Sequence, residues 1–207
     1  VVALNRGCNA ETAKLMKPLF IEAVICPKFE KNALGILKEK KSLRLLETDT
    51  IKKQKIGYDL KKVKGGILLQ TDYYPEISQK NLKIVTNRKP AKEEMKDLVF
   101  AWKVNKHVKS NSIVLAKDNV TVGIGAGQMS RVDAVKLAVM KSEGKSNDAV
   151  MSSDAFFPFR DGIDEAAKAG ITTIIQPGGS IRDEEVIQAA NEYNMAMVFT
   201  GIRLFRH

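Results

Sequence analysis

Short β-branched runs alternate with amphipathic runs along most of this chain. Near the start, Val1–Leu4, "FIEAVICP" and "LRLLE" have strand character. Between them, "ETAKLMKPLF" and "FEKNALGILKEKK" have helical spacing, the first ending near Pro18. From Thr48 to about Pro90 the pattern weakens. "KKQKIGYDLKKVKGG" is basic and only loosely periodic, while "GILLQTDYY" and "LKIVT" read as strands. Apolar residues keep recurring there, so the segment reads as a structured connector.

The pattern is most regular from Ala91 onward. "KEEMKDLVFAWKVNKHV" predicts an amphipathic helix with Met95, Leu98, Trp102 and Val104 among its apolar residues. "SIVLAKDNVTVGIGA" predicts two strands about the turn "KDN". Ser130, with Asp133 three residues on, predicts a helix start, and Asp161 with Asp164 repeats that spacing before "IDEAAKAG". Gly170 and Asn194 mark helix stops. "ITTIIQP" and "MAMVFTG" complete an alternation of buried strands and helices, which predicts α/β layers. The expected division is 1–47, a connector at 48–90, and a second layer at 91–207.

Composition narrows the class. The chain has 207 residues, 44% hydrophobic and 28% charged, typical of an ordinary globular protein. A net charge of +10 favours an anionic partner. Two cysteines, Cys8 and Cys26, form no CxxC pair or framework, so a reducing compartment is expected. No apolar run approaches membrane-spanning length.

Three loops carry candidate chemistry. "VTVGIGAGQMSR" places Gly123, Gly125 and Gly127 ahead of a helix, yet Gln128 interrupts the dinucleotide pattern and no phosphate-loop lysine motif occurs. On pattern alone a tight strand-to-helix turn is the plainer reading; Arg131, a cation in the first helical turn, favours an anion site, with an ion pair as the alternative. In "SSDAFFPFRDG", Pro158 breaks the strand, so at least one phenylalanine ring is expected to face a cleft beside Asp161, which otherwise serves as a helix cap. In "QPGGSIRDEEV", Gly178 and Gly179 are expected to leave the amides of Ser180 and Ile181 open to a ligand. Such loops converge where strands end at the carboxyl edge of an α/β sheet.

The stretches "SNSIVLAKDNVTVGIGAGQMSRV", "SSDAFFPFRDGIDEAAKAGI", "IIQPGGSIRDEEVI" and "TGIRLFRH" resemble the purine-biosynthesis transformylases, and the N-terminal stretch from Val1 to Glu47 fits the same family. These enzymes formylate aminoimidazole-carboxamide ribonucleotide (AICAR) with 10-formyltetrahydrofolate, and are commonly fused to an IMP cyclohydrolase. The resemblance covers essentially the whole chain and implies the C-terminal part of the transformylase region. It implies cytidine-deaminase-like α/β/α layers: the end of a first layer, the connector and a complete second layer. No zinc is expected, since neither H-x-E nor P-C-x-x-C occurs.

By the same resemblance, Asn111 holds the carboxamide or the transferring formyl group, and Glu22 contacts the ribose. Arg131, Phe156, Arg203 and Phe205 bind the nucleotide. Val132, Asp161, Ser180 and Ile181 bind the folate, with Asp161 reading the pterin N–H edge. A cytoplasmic homodimer is implied, with no membrane or nucleic-acid partner. The family's Lys-His pair is expected upstream of "VVALNR", and neither His107 nor His207 matches it, so the isolated chain is expected to be inactive. Rival readings are a basic RNA-binding module using Lys38–Arg44 and Lys52–Lys64, or a non-catalytic remnant.

Overall fold

A computed structural model of the chain describes residues 1–49, 57–72, 76–78 and 81–206. Part of the basic run, the end of "GILLQTDYY" and His207 lie outside the described residues. The described chain is α/β and divides into two compact units, Val1–Asp72 and Tyr73–His207.

In the first unit, β1 (Val2–Ala3), β2 (Ala23–Cys26) and β3 (Arg44–Glu47) form a parallel sheet in that order. The crossovers are α1 (Ala10–Met16) and α2 (Lys31–Lys38). Asn9 starts α1: its side-chain oxygen accepts from the Thr12 N–H at 2.9 Å, satisfying a donor that the first turn leaves open. Alternation along β2 sends Val24 and Cys26 inward, where they pack with Cys8, Ala13, Met16, Phe29, Ala33 and Leu37. β4 (Gly57–Val63) and β5 (Gly66–Asp72) form an antiparallel hairpin that turns at Lys64 and Gly65. The expected connector is therefore divided. Its hairpin groups with the first unit, and its last strand, β6 (Lys83–Ile84), joins the sheet of the second.

That second sheet has six strands in the order β6-β11-β10-β9-β7-β8. They are completed by β7 (Ile113–Lys117), β8 (Val120–Gly125), β9 (Val150–Ser153), β10 (Thr173–Gln176) and β11 (Ala196–Phe199). β9, β10 and β11 run parallel, whereas β7 is antiparallel to both its neighbours. Neighbouring residues on each strand enter opposite cores. Ile113, Leu115, Met151, Ile174 and Met197 meet α4 (Arg131–Lys141), α5 (Asp161–Lys168) and α6 (Asp183–Glu192). Val114, Ala116, Val150, Ile175 and Val198 meet α3 (Lys92–Asn105) through Leu98, Ala101 and Trp102. Burial on both faces explains why these strands read as continuous apolar runs.

The turn between β7 and β8 has Asp118 and Asn119 at φ +54° and +57°. Their amides donate to the two carboxylate oxygens of Asp97 on α3, at 2.9 and 2.7 Å, so the helix holds the hairpin tip.

Gly123 and Gly125 do not form a phosphate loop; they lie within β8. A Cβ on either would collide with the backbone carbonyl of Ala138 or Ala134 on α4. Their role is to let the helix lie directly on the strand. Ser130 does cap α4, accepting from the Asp133 N–H at 3.1 Å while its hydroxyl donates to the Asp133 carboxylate at 2.6 Å. Asp161 is not the cap of α5 but its first residue, with Arg160 preceding it in helical geometry. Pro158 and the bend after it start the helix one residue earlier than the Asp-x-x-Asp spacing suggests.

Candidate functional site

The parallel strands β9, β10 and β11 end at one edge of the second unit, and the loops leaving that edge gather most of the expected residues. A cleft of about 670 Å³ there is lined by Pro177, Gly178 and Gly179 from the loop after β10, and by Gly201, Ile202 and Arg203 from the tail after β11. The tail is held in place by backbone bonds. Leu204 N–H donates to the Asp154 carbonyl at 2.8 Å, and Ser110 N–H donates to the Arg206 carbonyl at 2.9 Å. This arrangement puts the Arg203 guanidinium over the Phe156 ring, 5.1 Å from its centroid, in cation–π contact. Phe205 is about half exposed on the same tail.

The three phenylalanines divide their work. Phe157 is wholly buried, and its N–H donates to Gln176 Oε1 at 3.0 Å. Phe156 is half-buried beneath Arg203, and Phe159 is 48% exposed beneath the Arg182 guanidinium. Gly162 allows this packing, since a Cβ there would meet the Phe157 ring.

A second cluster lies where the loop before β7 meets the loop after β8. The backbones of Asn111 and Gln128 exchange two hydrogen bonds of 3.2 Å, and Gly127 N–H donates to the Lys109 carbonyl at 2.7 Å. The Asn111 side chain donates to the carbonyls of Gln128 and Met129 and accepts from Arg131 Nη2 at 3.1 Å. Arg131 is not a solvent-facing cation. It is 8% exposed and paired through Nη1 with the wholly buried Asp154, at 2.5 Å, and with Ser153 Oγ, at 2.8 Å. Asp154 was not predicted from sequence. Its only trace there is an acidic residue between "SS" and an aromatic run, and a buried carboxylate gives no signal until its partner is placed.

The residues expected to bind folate are arranged differently from expectation. The Ser180 amide is not open to a ligand: it donates to Asp183 Oδ1 at 3.1 Å, and the Gly179 amide donates to Oδ2 at 2.7 Å. Asp183, at the first position of α6, closes this turn on itself. Ile181 next to it is fully exposed. Asp161 is exposed, with Oδ1 accepting from the Gly162 N–H at 2.7 Å, and Val132 is half-buried on α4. Glu22 belongs to the first unit, exposed just before β2, with its carbonyl accepting from the Arg44 N–H.

His107 follows α3. Burial, and then the charges of Lys106 and Arg206, push its imidazole below the ordinary value, so it is held neutral near pH 7. Among the described residues no cluster of three or more His, Cys, Asp or Glu side chains could hold a metal ion, and no helix is long and apolar enough to cross a membrane.

A cleft at the carboxyl edge of parallel strands is where α/β proteins commonly hold small-molecule ligands, and here Arg203 lines it. The chain belongs to the AICARFT/IMPCHase bienzyme family, whose model matches residues 1–141. It is 53% identical over 207 residues to the bifunctional purine biosynthesis protein PurH of Caldicellulosiruptor saccharolyticus, covering all of this chain and 40% of that protein. The corresponding protein of Persephonella marina is 53% identical over 214 residues, with 41% of its length covered. The chain thus spans about 40% of the length of these relatives. A solved structure described as "protein ybgI, unknown function" aligns with a TM-score of 0.23 and 12% identity, over 98% of this chain and 72% of that one, too distant to bear on the fold.

Proposed function

We propose that this chain supplies nucleotide- and folate-binding surfaces of an AICAR transformylase acting in purine biosynthesis. The reaction moves the formyl group of 10-formyltetrahydrofolate to the 5-amino group of AICAR. The amine attacks the formyl carbon and loses a proton, the tetrahedral oxyanion collapses with cleavage of the bond between the formyl carbon and N10, and N10 takes up a proton as tetrahydrofolate leaves. The observation that carries the reading is that Arg203, which lines the 670 Å³ cleft, lies over the Phe156 ring. A guanidinium suits the nucleotide phosphate and an aromatic ring suits a planar heterocycle. The relatives' shared name, bifunctional purine biosynthesis protein, agrees with this substrate class.

In this reading Arg203, Phe156 and Phe205 contact the nucleotide, and Asn111 orients it. Val132, Asp161, Ser180 and Ile181 line the folate side. Ser180 contributes its carbonyl or hydroxyl, because its amide is bonded to Asp183. Arg131 acts through Asn111, to which it is bonded. Two deaminase-like layers, a cytoplasmic location and a homodimer belong to the same proposal.

The test is AICAR-dependent release of tetrahydrofolate by the intact protein, together with calorimetric titration of each ligand. Saturable binding of AICAR and folate, with AICAR binding weakened in Arg203→Gln, supports the reading. Ring closure of the formylated nucleotide without tetrahydrofolate release would assign the chain to the cyclohydrolase half instead. Salt-sensitive RNA binding without nucleotide binding would overturn both.

A further inference from the structure

The chain after β11 does not leave the sheet but crosses the carboxyl edge of its strands. Thr200 N–H donates to the Gln176 carbonyl and Gly201 N–H to the Pro177 carbonyl, both at 2.9 Å, beside the end of β10. Leu204 N–H then donates to the Asp154 carbonyl at 2.8 Å, just past β9. Arg206 and Ser110 close the crossing ahead of β7. Arg206 N–H donates to Ser110 Oγ and Ser110 N–H to the Arg206 carbonyl, both at 2.9 Å. In the sheet order β11-β10-β9-β7 this path spans three strand spacings, ~14 Å, which five steps of ~3.3 Å from Gly201 to Arg206 cover in a nearly extended chain.

Extended backbone alternates its side chains. Leu204 is 5% exposed and packs into the core that holds Trp102, with half-buried Ile202 against the same core. Arg203 and Phe205, on either side of Leu204, are exposed. Burying Leu204 therefore displays the two residues next to it.

The ties of this segment fall into two groups. Up to Gly201 they go to the end of β10. Thr200 Oγ1 fixes the corner there, accepting from the Ile202 N–H and donating to the Ile202 carbonyl, each at 3.1 Å, and Gly201 turns it at φ +68°. Beyond the corner, the backbone bonds go to the loop residues Asp154 and Ser110, and the Arg203 guanidinium lies over the ring of another, Phe156. Bonds to loops open at lower cost than the ladder of a central strand.

We propose that Ile202–Arg206 is a strap that opens and closes as one unit about Gly201, latched by Leu204, and that the cleft wall it forms exists only while the strap is closed. Opening lifts Ile202 and Arg203 away and leaves the opposite wall of Pro177, Gly178 and Gly179 in place. A ligand held between the two walls binds the closed form and so keeps the strap shut. This holds whichever ligand the cleft takes.

The experiment is hydrogen–deuterium exchange of the intact protein, resolved to single amides and run without ligand, so that its outcome is separate from that of the proposed function. The amides of Leu204, Arg206 and Ser110 should share one protection factor, about 100-fold below those of β10 and β11. Leu204→Ala should lower the three by a further tenfold or more and leave β10 and β11 unchanged, because truncating a buried leucine shifts the local equilibrium by at least that factor. Leu204→Met, which nearly conserves volume, should bring them back close to the values of the unaltered protein. A residue that merely stabilises the whole unit would lower protection in the strands by the same factor, and that result overturns the proposal. So does protection of the three amides equal to that of β10 and β11, or three unrelated values. Should Leu204→Ala fail to fold, the three protection factors of the unaltered protein decide.

Discussion

Replacing Glu94 with glutamine should remove a pH-dependent clamp from the second unit. Glu94 is in the first turn of α3, and its side chain is 15% exposed. Arg88 Nη2 donates to both its oxygens, at 2.7 and 2.9 Å. The hydroxyls of Thr172 and Thr173 donate at 2.6 and 2.7 Å, and the Ala91 N–H at 2.7 Å. The carboxylate therefore ties the segment before α3 to the start of β10. Burial alone would raise its pKa. The arginine, the two hydroxyls and the amide outweigh that cost and hold the group at about 2, against an ordinary 4.5.

At about 1.4 kcal/mol per pH unit, the carboxylate form contributes roughly 2–3 kcal/mol of stability, after allowance for the partial exposure of Arg88. Because the folded value is the lower one, that stability is fully present above pH 4.5 and is lost as pH falls toward 2. Urea unfolding followed through Trp102, the chain's one tryptophan and a buried member of this unit, measures it. Glu94→Gln should be less stable by about 2–3 kcal/mol at pH 6, and the two proteins should converge near pH 2. Parallel curves for the two proteins, separated equally at every pH, would refute the electrostatic account.

Gly125→Ala should cost about 1–3 kcal/mol or more, seen as a lowered melting temperature, because the new methyl enters the Ala134 carbonyl of α4. Gly178→Ala should both destabilise the fold and weaken ligand binding, since Gly178 has φ +71° at the cleft and a Cβ there would meet the Phe199 ring. Arg203→Gln should weaken nucleotide binding by roughly 10–100-fold, the loss of one charge-assisted bond, with little change in melting temperature. The intact protein should sediment as a dimer at micromolar concentration; a fully active monomer would contradict the proposal. The 207 residues alone should release no tetrahydrofolate at a useful rate. In the proposed reading Asn111 and Arg203 position the substrate, and neither an amide nor a guanidinium is suited to serve as the proton acceptor.

What could be read ahead of the structure was what depends on near neighbours in the chain. The strands of the second unit were legible because both faces of the sheet are covered, leaving unbroken apolar runs. The Ser130 cap was legible because cap and partner are three residues apart. The glycines of "VTVGIGAG" misled for the opposite reason. A glycine that admits a ligand and one that admits a helix look identical until α4 is placed on β8. Asp183 closing the Ser180 turn has the spacing of an ordinary helix start, so the pattern alone could not say whether those amides were spent inside the protein or offered to a ligand. Arg131 and Asp154 lie 23 residues apart, and nothing in that spacing pairs them. Only the parallel return of the chain through β9 brings them together beneath Asn111. A site assembled from several strand ends therefore shows its contact residues in sequence sooner than the buried groups that aim them. For that reason Asn111 is expected from the sequence to contact the substrate, while the Arg131–Asp154 pair that holds it emerges only from the structure.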